Sequence, residues 1–118
     1  MRLNIKKIEE EYQAVEEETT KQFLALAASE MERIAVELVP VDTGNLKGSI
    51  TSWTDEFSAY VGAGFTKAVS YAKFVEYGTA KMRPQPFLRP ALFEVSSKAT
   101  KMFTNLFQKN INKSNLYK

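Results

Sequence analysis

Apolar side chains recur at helical intervals through the first forty residues. Ile8, Tyr12 and Val15 alternate with glutamates at 9–11 and 16–18, and Leu24, Ala28, Met31, Ala35 and Leu38 follow at alternating steps of four and three. Both stretches predict an amphipathic helix. The β-branched Thr19 and Thr20 weaken the join between them, so a bend or break is expected there. Pro40 closes the pattern, because the residue before a proline avoids the α region.

Residues 41–45, Val-Asp-Thr-Gly-Asn, carry turn chemistry. Asp42 and Thr43 can accept bonds from nearby backbone N–H groups and Gly44 can take a positive φ, so this segment is expected to turn the chain from helix into strand. Residues 48–55 and 58–64 then alternate as two strands, with Asp55 and Glu56 supplying a hairpin turn between them. Residues 70–78 predict a short helix capped by Ser70 and ended by Gly78 in the left-handed conformation. Tyr71, Phe74, Val75 and Gly78 share one of its faces, and so short a helix is expected to bury that aromatic face. Residues 81–90 hold three prolines and predict an extended connection, with Pro90 at the first position of the next helix. Leu92, Val95, Ala99, Met102, Phe103, Leu106 and Phe107 then form an apolar stripe to about Ile111, and residues 111–118 are expected to fray. The fold class is therefore α+β: a long N-terminal helix, a small antiparallel hairpin, a short helix and a C-terminal helix packed on it.

The chain has 118 residues, enough for one domain spanning 1–118. It contains no cysteine and no histidine. That removes disulfides, thiolate chemistry, Cys/His zinc sites and every histidine-dependent triad. No signal-peptide pattern opens the chain, and the uncharged run at 22–29 is too short to span a bilayer. Net charge is only +2, but it is polarised. Residues 1–40 carry five basic and nine acidic side chains, and residues 87–118 carry six basic and one acidic. Such poles read as solvated helix faces that attract one another, or as a basic surface for an acidic partner.

One tripeptide is chemically suggestive. Asp42-Thr43-Gly44 is the signature of aspartic proteases, in which two carboxylates share a proton. Those enzymes are nearly all β, their aspartate follows a continuous apolar strand, and they carry a second glycine signature near the C-terminus. Here helix dominates, Pro40 stands two positions before Asp42, and Gly78 is the last glycine. The five glycines form no phosphate loop, and the glutamate clusters lack calcium-loop spacing. No catalytic, cofactor or metal site is expected.

Three linked segments carry a resemblance. Pro40-Val41-Asp42-Thr43-Gly44 leads into Leu46 and Ser49-Ile50, Tyr71-Ala72-Lys73-Phe74-Val75-Glu76 leads into Gly78-Thr79, and Pro86-Phe87-Leu88-Arg89-Pro90-Ala91-Leu92 follows. In this order and spacing they are similar to neck or tail-completion proteins of lambda-like long-tailed phages. The resemblance covers residues 39–92 and implies a virion protein made in the bacterial cytoplasm. It also implies assembly with copies of itself into a ring at the head–tail junction, beside neighbouring neck and tail proteins and around the passing genome DNA. It assigns a structural motif to Asp42, Thr43, Gly44, Tyr71, Phe74, Glu76, Gly78, Pro86, Phe87 and Pro90. Glu76, Arg83, Arg89, Lys98 and Lys101 are candidate interface residues, with Glu76 and Arg89 able to pair within or between subunits. A membrane or a small-molecule substrate is not implied. The alternative is a small nucleic-acid-binding module whose C-terminal lysines meet phosphates without reading sequence.

If Asp42 serves geometry rather than proton transfer, Asp42→Asn retains fold and assembly at a cost of at most about 1–2 kcal/mol. Peptidase activity that copurifies with the protein and vanishes in this variant would restore the protease reading.

Overall fold

A computed structural model describes residues 4–40, 44–63, 69–81 and 83–114, without the side chains of residues 44–45 and 69–71. Helix α1 runs Ile5–Leu38, α2 Gly44–Gly48, strand β1 Ile50–Thr54, β2 Ala59–Ala63, helix α3 Val69–Tyr77 and α4 Leu88–Lys113. The molecule measures 73 × 24 × 20 Å. Helix α1, whose 34 residues extend about 51 Å at the α-helical rise, makes up the greater part of the long dimension.

Helix α1 starts at Asn4, whose side chain accepts from the Lys7 N–H at 3.4 Å, and stops before Pro40. It passes Thr19–Thr20 without the expected break. The Thr20 hydroxyl donates back to the Glu16 carbonyl at 2.9 Å. Thr19 is fully buried, and its Oγ1 accepts from Asn110 Nδ2 of α4 at 2.9 Å. A tertiary contact thus overrides a local preference that is worth only tenths of a kcal/mol per residue.

Helix α4 lies antiparallel along α1. Phe103 meets Phe23 edge-on at 5.6 Å, and further along Phe107 meets Tyr12 at 5.7 Å. The acidic and basic poles of the sequence therefore sit on neighbouring helices of one chain. The two strands form an antiparallel hairpin in the register Ile50↔Ala63 to Thr54↔Ala59. One face of the hairpin packs toward α1, through Ile50, Ala59, Val61 and Ala63. On the other, Trp53 stacks on its cross-strand partner Tyr60 at 5.4 Å. A Cβ on Gly62 would approach the Trp53 ring to 3.0 Å. Asp55 builds the turn: Oδ1 accepts from the Phe57 and Ser58 N–H groups, and Oδ2 from the Tyr60 hydroxyl. Those bonds, the Tyr60 one foremost, hold its carboxyl below the usual range.

The core draws on nearly every element: Ala27, Met31, Ile34 and Ala35 of α1, Val39, Leu46 of α2, Ile50 of β1, Ala72 and Val75 of α3, and Phe87, Ala91 and Val95 around the start of α4. Several expectations change here. Gly44 opens α2 where a turn directly into strand was expected, and this short helix carries Leu46 into the core. Asp42 and Thr43 lie outside the described residues. Leu38 is exposed because Val39, just past the helix end, takes the core position. Ser70 lies inside α3 rather than capping it. Of the face anticipated for α3, Val75 is buried but Phe74 is 46% exposed, and Ala72 and Glu76 turn inward beside Val75. Leu92 is also exposed, since α4 turns Ala91 and Val95 inward. Helix α4 begins two residues before Pro90, which occupies its third position rather than its first.

Phe87 is wholly enclosed, whereas Phe93 is 76% exposed. Phe87→Ala is expected to cost about 3–5 kcal/mol through cavity formation, and Phe93→Ala no more than about 0.5 kcal/mol. Urea unfolding of the two variants measures both.

Candidate functional site

A helix begins with N–H groups that have no partner within the helix, and a nearby side-chain oxygen usually accepts from them. Helix α4 has no such local acceptor. Its cap position holds Phe87, and no side chain of its own segment caps it. The acceptor comes instead from α3. Glu76 Oε1 accepts from the N–H groups of Phe87 at 2.9 Å and Leu88 at 2.8 Å, and Oε2 accepts from the Arg89 N–H at 3.1 Å. The next residue is Pro90, which has no N–H to satisfy. One carboxylate thus meets the donors at the start of α4, where the helix dipole also favours negative charge.

The Arg89 side chain closes the arrangement. Its Nε donates to Glu76 Oε2 at 2.9 Å and its Nη2 to the Glu76 carbonyl at 2.9 Å. Its guanidinium lies 4.5 Å from the Tyr77 ring centroid. The pair therefore forms within one chain. Glu76 is only 3% exposed, while Arg89 keeps half its side chain in water. Two backbone contacts shape the approach. The Gln85 N–H donates to the Val75 carbonyl at 2.7 Å, pinning the proline-rich connection beside α3. Gly78 has φ 77°, the left-handed end expected for α3, and its N–H donates to the Phe74 carbonyl at 2.8 Å. A β-branched side chain fits poorly there.

Burial opposes the charge on Glu76, but the bonds from Leu88, Phe87 and Arg89 outweigh it and hold the carboxyl below its ordinary value of 4.5. A depressed carboxylate contributes stability that is complete above the unfolded pKa and is lost as pH falls through the lower folded one.

The anticipated motif residues thus separate by role. Glu76, Gly78, Phe87 and Pro90 form one joint between α3 and α4, while Pro86 lies exposed on the connection leading into it. Gly44 belongs to α2. Asp42 and Thr43 fall outside the described residues, as does the side chain of Tyr71. Of the candidate interface residues, Glu76 is buried in this joint. Arg83 and Lys101 are exposed, and the exposed Lys98 reaches Glu94 at 3.3 Å one turn away. Sequence reasoning missed Tyr77 as the ring beneath Arg89. The signal that a borrowed cap exists is the cap position itself, where phenylalanine stands and no acceptor is within local reach.

This arrangement fastens α3 to α4. Among the described residues, no group of acidic side chains is arranged to hold a metal ion, and no helix is long and apolar enough to cross a membrane. One surface depression lies between Gln13, Glu16, Glu17, Thr20 and Lys21 of α1 and the hairpin residues Glu56 and Phe57.

The family model described as "Bacteriophage HK97-gp10, putative tail-component" matches residues 3–78. The match spans more than half of the chain, and the chain belongs to this HK97-gp10-like family. It takes in α1 and the segments through Gly78, and stops before the segment that supplies the start of α4. No curated protein and no solved structure matches the chain.

Glu76→Gln is expected to cost about 2–4 kcal/mol, since buried donors lose a charged acceptor. The variant is also expected to lose part of the wild-type decline in stability as pH falls below about 4.5. Arg89→Ala is expected to cost only about 1 kcal/mol, because the guanidinium is half in water. Denaturant midpoints between pH 7 and pH 3 for the three proteins measure each effect.

Proposed function

We propose that this member of the HK97-gp10-like family is a structural virion subunit that assembles with copies of itself into a ring at the phage head–tail junction, where it joins heads to tails or completes the tail. Residues 1–118 act as one unit, and the chain performs no catalysis. The observation that carries this reading is the fate of the polar motif residues. Glu76 and the backbone of residues 87–89 are spent in fastening α3 to α4, and Arg89 closes the same joint. The aromatic Phe74, Tyr77 and Phe93 around that joint face outward. A rigid joint displaying large apolar side chains suits an assembly surface.

Its neighbours are then other neck and tail proteins, with the genome passing through the ring in weak, non-specific contact at most. Closed rings arise when one patch meets an unlike patch on the next copy and the rotation closes.

Deleting the gene and imaging lysates by electron microscopy tests the role. The expected result is normal DNA replication and lysis, with filled heads and tails that fail to join. Tailed virions in normal numbers would contradict the proposal, and a block in replication would favour a nucleic-acid-binding module.

A further inference from the structure

The surface carries two aromatic patches of unlike charge. The first is the hairpin tip. Phe57 is 78% exposed although its backbone is held rigidly, because Asp55 accepts from its N–H at 2.9 Å and from that of Ser58 at 2.7 Å. A side chain this large, fixed outward by an ordered turn, is presented to a partner rather than left loose. Asp55 and the exposed Glu56 make the tip acidic.

The second patch surrounds the joint of α3 and α4. Phe74 and Tyr77 are 46% and 65% exposed and lie three positions apart on one helix face. Arg89 covers the Tyr77 ring, and Phe93 lies one turn along from Arg89. The Lys73 ammonium lies 5.4 Å from the Phe74 ring centroid, Glu76 is buried, and Glu94 beside Phe93 pairs with Lys98. The exposed face is therefore aromatic and basic.

The two patches cannot meet within one chain. Glu56 and Phe57 sit against α1 at residues 13–21. The core around Phe87 and Ala91 instead takes α1 at residues 27–35. At 1.5 Å per residue these stations lie roughly 20–25 Å apart along α1. We infer that the acidic hairpin tip of one copy docks, Phe57 foremost, on the basic aromatic face formed by α3 and the start of α4 of the next copy. The occupant is a second copy because this chain carries both halves of the contact, matched in aromatic character and opposed in charge. The contact is head-to-tail, so it repeats from copy to copy and deepens the ring reading on which it rests.

Mixing two disabled proteins tests this directly. The tip variant carries Glu56→Lys and Phe57→Ser, and the face variant carries Lys73→Glu and Phe74→Ser, all four at exposed positions. Sedimentation of the wild type is expected to show assemblies larger than a dimer that weaken as salt rises. Each variant alone is expected to remain monomeric at tenfold the concentration at which the wild type associates. Their equimolar mixture is expected to form dimers and nothing larger, since one intact tip and one intact face remain; such dimers also show that both variants are folded. If the wild type associates and both variants do so equally well, this surface is wrong while the ring reading stands. Dimers of either variant alone would point to a symmetric contact and overturn the inference. A wild type that stays monomeric at every concentration would overturn both.

Discussion

The N-terminus of α4 cannot satisfy its own backbone donors, and much of the structure follows from the way that demand is met. Phe87 is needed in the core, so the cap position carries a side chain with nothing to accept a hydrogen bond. The missing acceptor arrives from Glu76, eleven residues earlier on a different helix. An uncapped helix start buried against α1 would leave orphaned N–H groups, each costing about 1–3 kcal/mol. A buried carboxylate without those donors would be costlier still. Each half satisfies the other, which couples α3 to α4 more specifically than apolar contact could.

The remaining elements build on that joint. Residues 84–86 are stiffened by two prolines and held beside α3 by the Gln85–Val75 bond, so little freedom remains between the helices. Pro90 stands where a further N–H would have found the carboxylate already accepting four hydrogen bonds. Helix α4 then runs back along α1, and Asn110 bonds Thr19 near the far end. The hairpin packs on α1 as well, and Asp55 holds its turn. With Glu76 consumed internally, the outward surface near the joint carries Phe74, Tyr77 and Phe93 beside basic side chains.

Periodicity made the element order legible. Helix α1, both strands, α3 and α4 follow from apolar spacing, and Gly78 ends α3 as its position predicts. Turn chemistry at residues 41–45 concealed α2, because five residues offer no period and their helix is fixed by where Leu46 must go. Thr19 and Thr20 argued for a break that Asn110, ninety-one residues from Thr19 in sequence, removes. Val75 and the α4 stripe from Val95 to Phe107 turn inward as their spacing predicts, but single members misled because alanine is uninformative: Ala72 and Ala91 are buried, while Phe74 and Leu92, larger and more apolar, remain outside. Glu76 and Arg89 were recognisable as a candidate pair. Their role was not, since the decisive partners are backbone N–H groups and no sequence rule links a carboxylate to donors eleven to thirteen residues away.

Titration of the Glu76 side-chain carboxyl by NMR, followed together with the amide resonances of Phe87, Leu88 and Arg89, tests the cap most directly. The cap predicts a carboxyl midpoint below the ordinary value of 4.5, with the three amide resonances shifting along the same curve. A midpoint at or above that value, or amides that do not respond as the carboxyl is protonated, would contradict it.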